Sequence, residues 1–165
     1  MKVALLQGGR SLERGVSLRS GMRVTESLLD LGHEVDVMDL GPDLVNRLEA
    51  KRPDVVFIAL HGTEGEDGTI QALLELLGIP YTGPGVAACT RCMDKSLTKY
   101  ILREHDLPTP DWVTYSEASI RDFGAASTFG AAVERVGLPL VAKPASQGSS
   151  LGVKVVTELE QIPGA

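Results

Sequence analysis

Apolar residues set the frame of this chain, first at strand spacing and then at helical spacing. Val3-Ala4-Leu5-Leu6 form the apolar middle of a predicted strand from Lys2 to Leu6, and Gln7-Gly8-Gly9-Arg10-Ser11 follows as a turn. Leu18, Met22, Thr25 and Leu29 then recur every three or four residues. They predict a helix with those side chains inward and Gly32 at its end. Val35 to Leu40 predicts a second strand, Asp43 to Lys51 a helix with Leu44, Val45 and Leu48 inward, and Asp54 to Leu60 a third strand. The order is βαβαβ, which calls for a parallel sheet covered by helices, with ligands beyond the carboxyl ends of its strands. Gly8-Gly9 and His61-Gly62 both stand at such ends. Ile70, Leu73, Leu74 and Leu77 predict a further helix that stops at Gly78, before the rigid loop Pro80-Tyr81-Thr82-Gly83-Pro84-Gly85.

The pattern changes after Met93. Asp94 is placed to cap a helix with Leu97 and Ile101 inward, closing at Leu107-Pro108-Thr109-Pro110. Trp112 to Tyr115 predicts a short strand and Ser127 to Val136 a helix. Leu138 to Lys143 predicts a strand that returns through Pro144 to Ser150 into Leu151 to Val156. The fold class is α/β: a parallel-sheet, Rossmann-like N-terminal domain over residues 1–93, then an α+β subdomain beginning at 94 and running to 165. That second unit is expected to be incomplete, because a hairpin with one or two helices buries little apolar surface and leaves bare sheet edges.

Composition narrows the function. With 165 residues, 43% of them hydrophobic, the chain can bury one ordinary core or two small ones. A net charge of −6 without a long Lys/Arg block argues against nucleic acid or an anionic membrane as partner, and favours a small molecule. Apolar runs such as Val55 to Leu60 are too short to span a bilayer, and Met1-Lys2-Val3 leads straight into a strand without a signal region, so the cytoplasm is expected. Cys89 and Cys92 form a CxxC. With no second pair and no nearby histidine, the segment Gly85 to Cys92 reads as a small-residue helix in which cysteine packs, rather than as a redox or zinc motif.

Three groups of residues could carry chemistry. Gly8-Gly9-Arg10-Ser11-Leu12-Glu13-Arg14 opens the first helix; its glycines would let backbone N–H groups meet an anion, or it is only a tight turn with an exposed Glu13. It matches neither the dinucleotide nor the Walker pattern. His61-Gly62-Thr63-Glu64-Gly65-Glu66-Asp67-Gly68-Thr69 begins where the third strand ends. His61 there contacts a ligand carboxylate or makes a loop hydrogen bond, and Glu64, Glu66 and Asp67 read as charges near a helix N-terminus rather than a metal site. Lys95 and Lys143, with the loop Gln147-Gly148-Ser149-Ser150-Leu151-Gly152, supply the point charges and donors that phosphate needs, although a solvated lysine is the commoner role at a strand end.

Taken in order, these segments resemble the D-alanine–D-alanine ligases of the ATP-grasp family. The resemblance rests on Leu6 to Arg14 with Val16-Ser17-Leu18, Ala59 to Gly62 with Gly65 to Thr69, Gly78 to Gly83, Met93-Asp94-Lys95, and Lys143-Pro144 with Gly148 to Gly152. It implies an N-terminal substrate-binding domain (the pre-ATP-grasp domain) followed by a truncated ATP-grasp domain. It also implies ATP-dependent joining of two D-alanines through an acyl phosphate, for peptidoglycan precursor synthesis. By the same resemblance Glu13 holds the ammonium of the first D-alanine and His61 its carboxylate. Lys95, Lys143, Gly148, Ser149 and Ser150 bind the ATP phosphates, and Ser149 is linked to the substrate-ordering glutamate, so Glu13 and Ser149 are the catalytic pair.

ATP and Mg²⁺ are the implied cofactors, with the metal ligands, the adenine segment and the transition-state arginine expected beyond Ala165, and a homodimer is the family's frequent state. The isolated chain is therefore expected to be inactive. Gly15 and Gln147 depart from the family pattern, where glutamates are common. Three other readings stand beside this one: a ligase using D-lactate or D-serine second, a truncated module that only binds, and a CxxC redox protein.

Overall fold

In the computed structural model, which describes residues 1–164, β1 (Lys2–Gln7) is buried along its middle four residues. A strand apolar on both faces needs cover on both sides. β1 is accordingly the centre of a parallel sheet in the order β2-β1-β3, with β2 at Glu34–Asp39 and β3 at Val55–Ile58. Leu6 lies opposite Met38 on one side and Ile58 on the other, so the carboxyl ends of all three strands are level. The loops that leave β1 and β3 therefore start side by side. Pro80 to Thr82 prolongs the sheet through a parallel bridge between Val56 and Tyr81.

Four helices accompany this sheet: α1 (Arg14–Asp30), α2 (Leu44–Lys51), α3 (Thr69–Leu76) and α4 (Val86–Met93). Leu6, Met38, Leu48, Val56 and Leu74, one from each of β1, β2, α2, β3 and α3, are at the centre of one buried cluster. Each such side chain contributes about 1.5–3 kcal/mol of burial.

The face of α1 differs from the expectation. Ser17 and Gly21 are its buried residues, while Met22 and Leu29 are 56% and 54% exposed. Close approach explains the rotation: a Cβ on Gly21 would stand 2.0 Å from Gln7 Oε1. Hydrogen bonding completes it, since Ser17 Oγ accepts the Gly8 N–H at 2.8 Å and donates to Ala59 O at 2.7 Å.

The chain divides into two compact units, Met1–Met93 and Asp94–Ala165. The second contains α5 (Lys95–Glu104), α6 (Glu117–Asp122), α7 (Phe129–Val136) and an antiparallel pair, β4 (Leu140–Ala142) with β5 (Lys154–Val156). Asp94 caps α5 by accepting the Leu97 N–H at 2.9 Å. Leu97 itself is 40% exposed rather than inward.

Trp112 to Tyr115 joins no sheet among the described residues. Trp112 is held instead by aromatic and cationic neighbours: Tyr100 edge-on at 5.0 Å, Lys99 at 5.1 Å and Arg103 at 4.4 Å. Residues Ala125–Thr128 form a 3-10 turn, so the last predicted helix begins at Phe129. The two strands are shorter than their apolar runs. Pro139 has no N–H for the ladder, and Gly152 at φ +70° leaves extended geometry before β5. Among the described residues, Ala132 and Val156 are the buried hydrophobic residues of this unit. No helix among the described residues is long and apolar enough to cross a membrane.

Candidate functional site

The turn after β1 is already saturated with the chain's own acceptors. Gly8 N–H goes to Ser17, Gly9 N–H to Asp39 Oδ1 at 2.8 Å, and Arg10 N–H to Glu64 Oε2 at 3.1 Å. Of the two readings offered by the sequence, the open anion cradle therefore gives way to a braced strand-to-helix turn. Positive φ at Gly8 and Gly9, +83° and +76°, is the geometry that requires glycine there.

Two ion pairs lock the turn from either side. Arg14 pairs with Asp39 at 2.6 Å and also donates to Gly9 O at 3.0 Å. The Arg14 guanidinium holds the Asp39 carboxyl below its ordinary range, helped by the Gly9 and Leu40 amides and opposed by burial. Arg10 Nε donates to Glu64 Oε1 at 2.6 Å, tying this turn to the loop after β3.

What the bracing positions is Glu13. It is 7% exposed, not exposed as a bare turn would leave it. Its carboxylate lies against Gly62: a Cβ at that glycine would meet Glu13 Oε2 at 2.5 Å and Ser11 Oγ at 3.3 Å. Ser11 Oγ donates to His61 O at 2.7 Å and accepts the Glu13 N–H at 3.1 Å. The structure thus brings Glu13 against Gly62, next in the chain to His61. The His61 ring is about one-third exposed, with Nε2 3.2 Å from Ser20 Oγ and Nδ1 3.8 Å from Glu66 Oε1. A buried carboxylate attracts a cationic group and a partly open imidazole can donate to a carboxylate, the two ends of a small zwitterion.

The three carboxylates of the His61 loop hold the backbone. Glu64 clasps Arg10, and Glu66 Oε2 accepts the Gly62 N–H at 3.0 Å. Asp67 accepts the Glu64 and Thr69 N–H groups at 3.0 and 2.9 Å, so only Asp67 meets the helix N-terminus as expected. Burial pushes the Asp67 carboxyl up, yet those amides outweigh it and leave it lowered. Among the described residues no three His, Cys, Asp or Glu side chains come together to hold a metal ion.

In the second unit, Lys95, Lys143, Gly148, Ser149 and Ser150 line one cleft of about 240 Å³. Lys95 stands on the first turn of α5 and donates to Gln147 O at 2.5 Å. Burial pushes its pKa down, and the neighbouring Lys143 charge lowers it further. An anion in the cleft would relieve both effects. The loop carries two serines in left-handed backbone, Ser149 at φ +49° and Ser150 at φ +57°. Such strain of about 1–3 kcal/mol per residue is typical of segments that change shape on binding.

Several participants escaped the sequence reading. Asp39 and Ser20 act across 30 and 41 residues of chain, and nothing local marks them, while Glu64, expected near a helix N-terminus, instead reaches back 54 residues to Arg10. Lys99 had a signal, its i,i+4 spacing from Lys95. It donates to Thr109 Oγ1 at 2.8 Å and to Pro110 O at 2.7 Å, and burial followed by Lys143 and Arg103 lowers its pKa. Cys89 is buried, and that burial pushes its thiol up and away from reactive thiolate, while Cys92 is exposed.

Comparison with known proteins gives a consistent picture. Family models described as D-ala D-ala ligase N-terminus and D-ala D-ala ligase C-terminus match residues 41–84 and 101–165. A D-alanine–D-alanine ligase of Moorella thermoacetica is 46% identical over 158 residues, 96% of this chain and 51% of that protein. One of Aquifex aeolicus is 45% identical over 163 residues, 98% and 53% of the two chains. Among solved structures, the D-alanine–D-alanine ligase of Bacillus anthracis superposes with TM-score 0.81 at 36% identity, covering 99% of this chain and 52% of that one. The same enzyme complexed with ATP gives 0.79 at 34%, covering 99% and 53%. The chain spans about half the length of the curated relatives it matches.

Proposed function

The chain belongs to the D-alanine–D-alanine ligase family, and we propose that it supplies the first-substrate site and part of the nucleotide site of an ATP-dependent ligation of two D-alanines. The observation that carries this reading is the placing of the buried Glu13 carboxylate against Gly62, the residue that follows His61. Glu13 takes the ammonium of the first D-alanine, and His61 donates to its carboxylate. Residues 1–93 form the substrate domain, and residues 94–165 begin the ATP-grasp domain.

Lys95 and Lys143, with Gly148, Ser149 and Ser150, bind the ATP phosphates, and Ser149 links that loop to the substrate-ordering glutamate. A named relative in complex with ATP supports the nucleotide. Catalysis of this kind is largely positioning and charge neutralisation. The first D-alanine carboxylate attacks the γ-phosphate, ADP leaves, and the second D-alanine's amino group displaces phosphate from the acyl phosphate. The loop excludes the water that would hydrolyse that intermediate. The described residues form no donor set for Mg²⁺, so no step is assigned to a metal held here. The cellular setting is the cytoplasm, the product a peptidoglycan precursor, and the assembly a homodimer.

The test is a pair of titrations of the ¹⁵N-labelled chain. D-alanine should shift the Ser11, Gly62 and Glu13 amides with L-alanine ineffective, and ATP should shift Gly148 to Ser150. Equal response to both alanines, or none to D-alanine, would overturn the substrate assignment. Silence of the loop toward ATP would overturn the nucleotide assignment.

A further inference from the structure

Helix α1 carries an apolar stripe that the sheet does not use. Leu18, Met22, Thr25 and Leu29 follow one another at steps of four, three and four residues, so they share one side of the helix. Met22 and Leu29 are more than half exposed, and Leu18 and Thr25 are half-buried. Ser20, about 180° round the helix from this stripe, reaches His61 at the exit of β3. The stripe therefore faces the other way, past β2, the edge strand of the sheet. Val37 of β2 is exposed on the same side. Met38 belongs to the cluster shared with α2 and α3, so its neighbour Val37 points to the opposite face, over which α1 runs.

The charges beside the stripe indicate what covers it. Arg19, Arg23, Glu26 and Asp30 all lie on one flank of α1, the flank turned away from the buried Ser17 and Gly21. The order along that flank is basic, then acidic. Arg19 with Arg23, and Glu26 with Asp30, are like charges four residues apart, which weaken a lone helix. Asp30 also closes the helix where the dipole favours a cation. None of the four has an ion pair among the described residues.

A second α1 laid antiparallel answers both features. The four-three-four spacing then matches itself, with Leu18 against Leu29 of the second copy and Met22 against its Thr25. In that register Arg19 comes between Glu26 and Asp30 of the second copy, and Arg23 comes beside its Glu26. Two-fold symmetry repeats each contact. A parallel pair would instead set arginine on arginine and carboxylate on carboxylate. We propose that this face of α1, with Val37 beside it, is an interface between two copies of this chain, packed as antiparallel helices. This rests on the reading of the assembly as a homodimer and gives that homodimer its surface. One helix face and one strand edge make a small interface, under about 1,200 Å², so the dimer should be weak and reversible.

The experiment is sedimentation equilibrium of the full chain from micromolar to millimolar concentration. Wild type should show a monomer–dimer equilibrium that weakens with added salt. Arg19→Glu combined with Arg23→Glu, and Glu26→Arg combined with Asp30→Arg, should each weaken the dimer roughly tenfold or more, because like charges then meet across the pair. An equimolar mixture of these two double variants should recover a dimer at least as tight as wild type. Met22→Asp should abolish association while its amide spectrum stays that of the folded chain. Loss of the dimer in each double variant without recovery in the mixture overturns the antiparallel pairing. A dimer indifferent to all of these variants overturns the proposal for this face and leaves the homodimer standing. A monomer throughout overturns both, and gives the stripe to another segment or another protein.

Discussion

At the scale of single residues, the site depends on a few close approaches. Gly62 has φ +71°, and any Cβ there would stand 2.5 Å from Glu13 Oε2. Gly62→Ala should therefore displace the Glu13 carboxylate and cost about 1–3 kcal/mol of stability as well. D-alanine-induced shifts should vanish in the folded variant; retained affinity would mean that Glu13 is not the ammonium partner. Asp39 gives a pH prediction. Its folded pKa is depressed by Arg14, so its contribution is present above the unfolded value of about 3.9 and is lost as pH falls through the lower folded value. Asp39→Asn should flatten the acid limb of the urea midpoint below about pH 4. An acid limb as steep as wild type would refute the pair's role. Both side chains are more than a third exposed, so added salt should weaken the wild-type effect. Glu13 and His61 could be singled out in the sequence because each follows a strand end with glycines. Asp39 could not: as the last residue of β2 it becomes a partner of Gly9 only when the parallel register sets the two strand ends level.

At the scale of elements, α1 is the instructive case. Hydrophobic spacing located the helix and left Leu18 and Thr25 half-buried, but Met22 and Leu29 are exposed, because the fully buried contact with the sheet is made by Ser17 and Gly21. A prediction separates the two faces. Gly21→Ala places a methyl where Gln7 Oε1 and Cβ lie at 2.0 and 2.9 Å, and should cost about 1–3 kcal/mol. Met22→Ser and Leu29→Ser, on the exposed side, should stay within about 0.5 kcal/mol of wild type. Urea denaturation of the three variants decides it, and the reverse order would restore the hydrophobic face. The parallel strands were legible for the opposite reason. β1 and β3 are continuous apolar runs, and short runs flanked by glycine turns have few other ways to be buried. Trp112 to Tyr115 looked like a strand through its β-rich composition, but among the described residues no strand pairs with it, and Trp112 is satisfied by Lys99, Arg103 and Tyr100 instead.

At the scale of the whole molecule, the two units are unequally equipped. The first contains the nine-residue buried cluster, built from three strands, two helices and Leu60 just beyond β3. The second has a two-stranded sheet whose facing pair Val141 and Val155 is 52% and 68% exposed. Isolated hairpins are marginal in water, and local opening follows the density of buried contacts. In hydrogen exchange of this chain, the amides of Leu5, Leu6 and Val56 should therefore be protected far longer than those of Val141 and Val155. The ligand then acts where stability is lowest. On the proposed reading, ATP phosphates between Lys95 and Lys143 offset the burial and the neighbouring charge that now lower the Lys95 pKa. Binding to the folded form adds RT ln(1 + [L]/Kd), about 2.7 kcal/mol at a hundredfold excess over Kd. Exchange through β4, the Gly148–Ser150 loop and β5 should slow by roughly a hundredfold at that excess, and Lys143→Met should abolish most of the slowing while leaving Leu5 and Val56 as protected as before. Slowing that survives Lys143→Met would mean that the nucleotide's phosphates are held elsewhere than in this cleft.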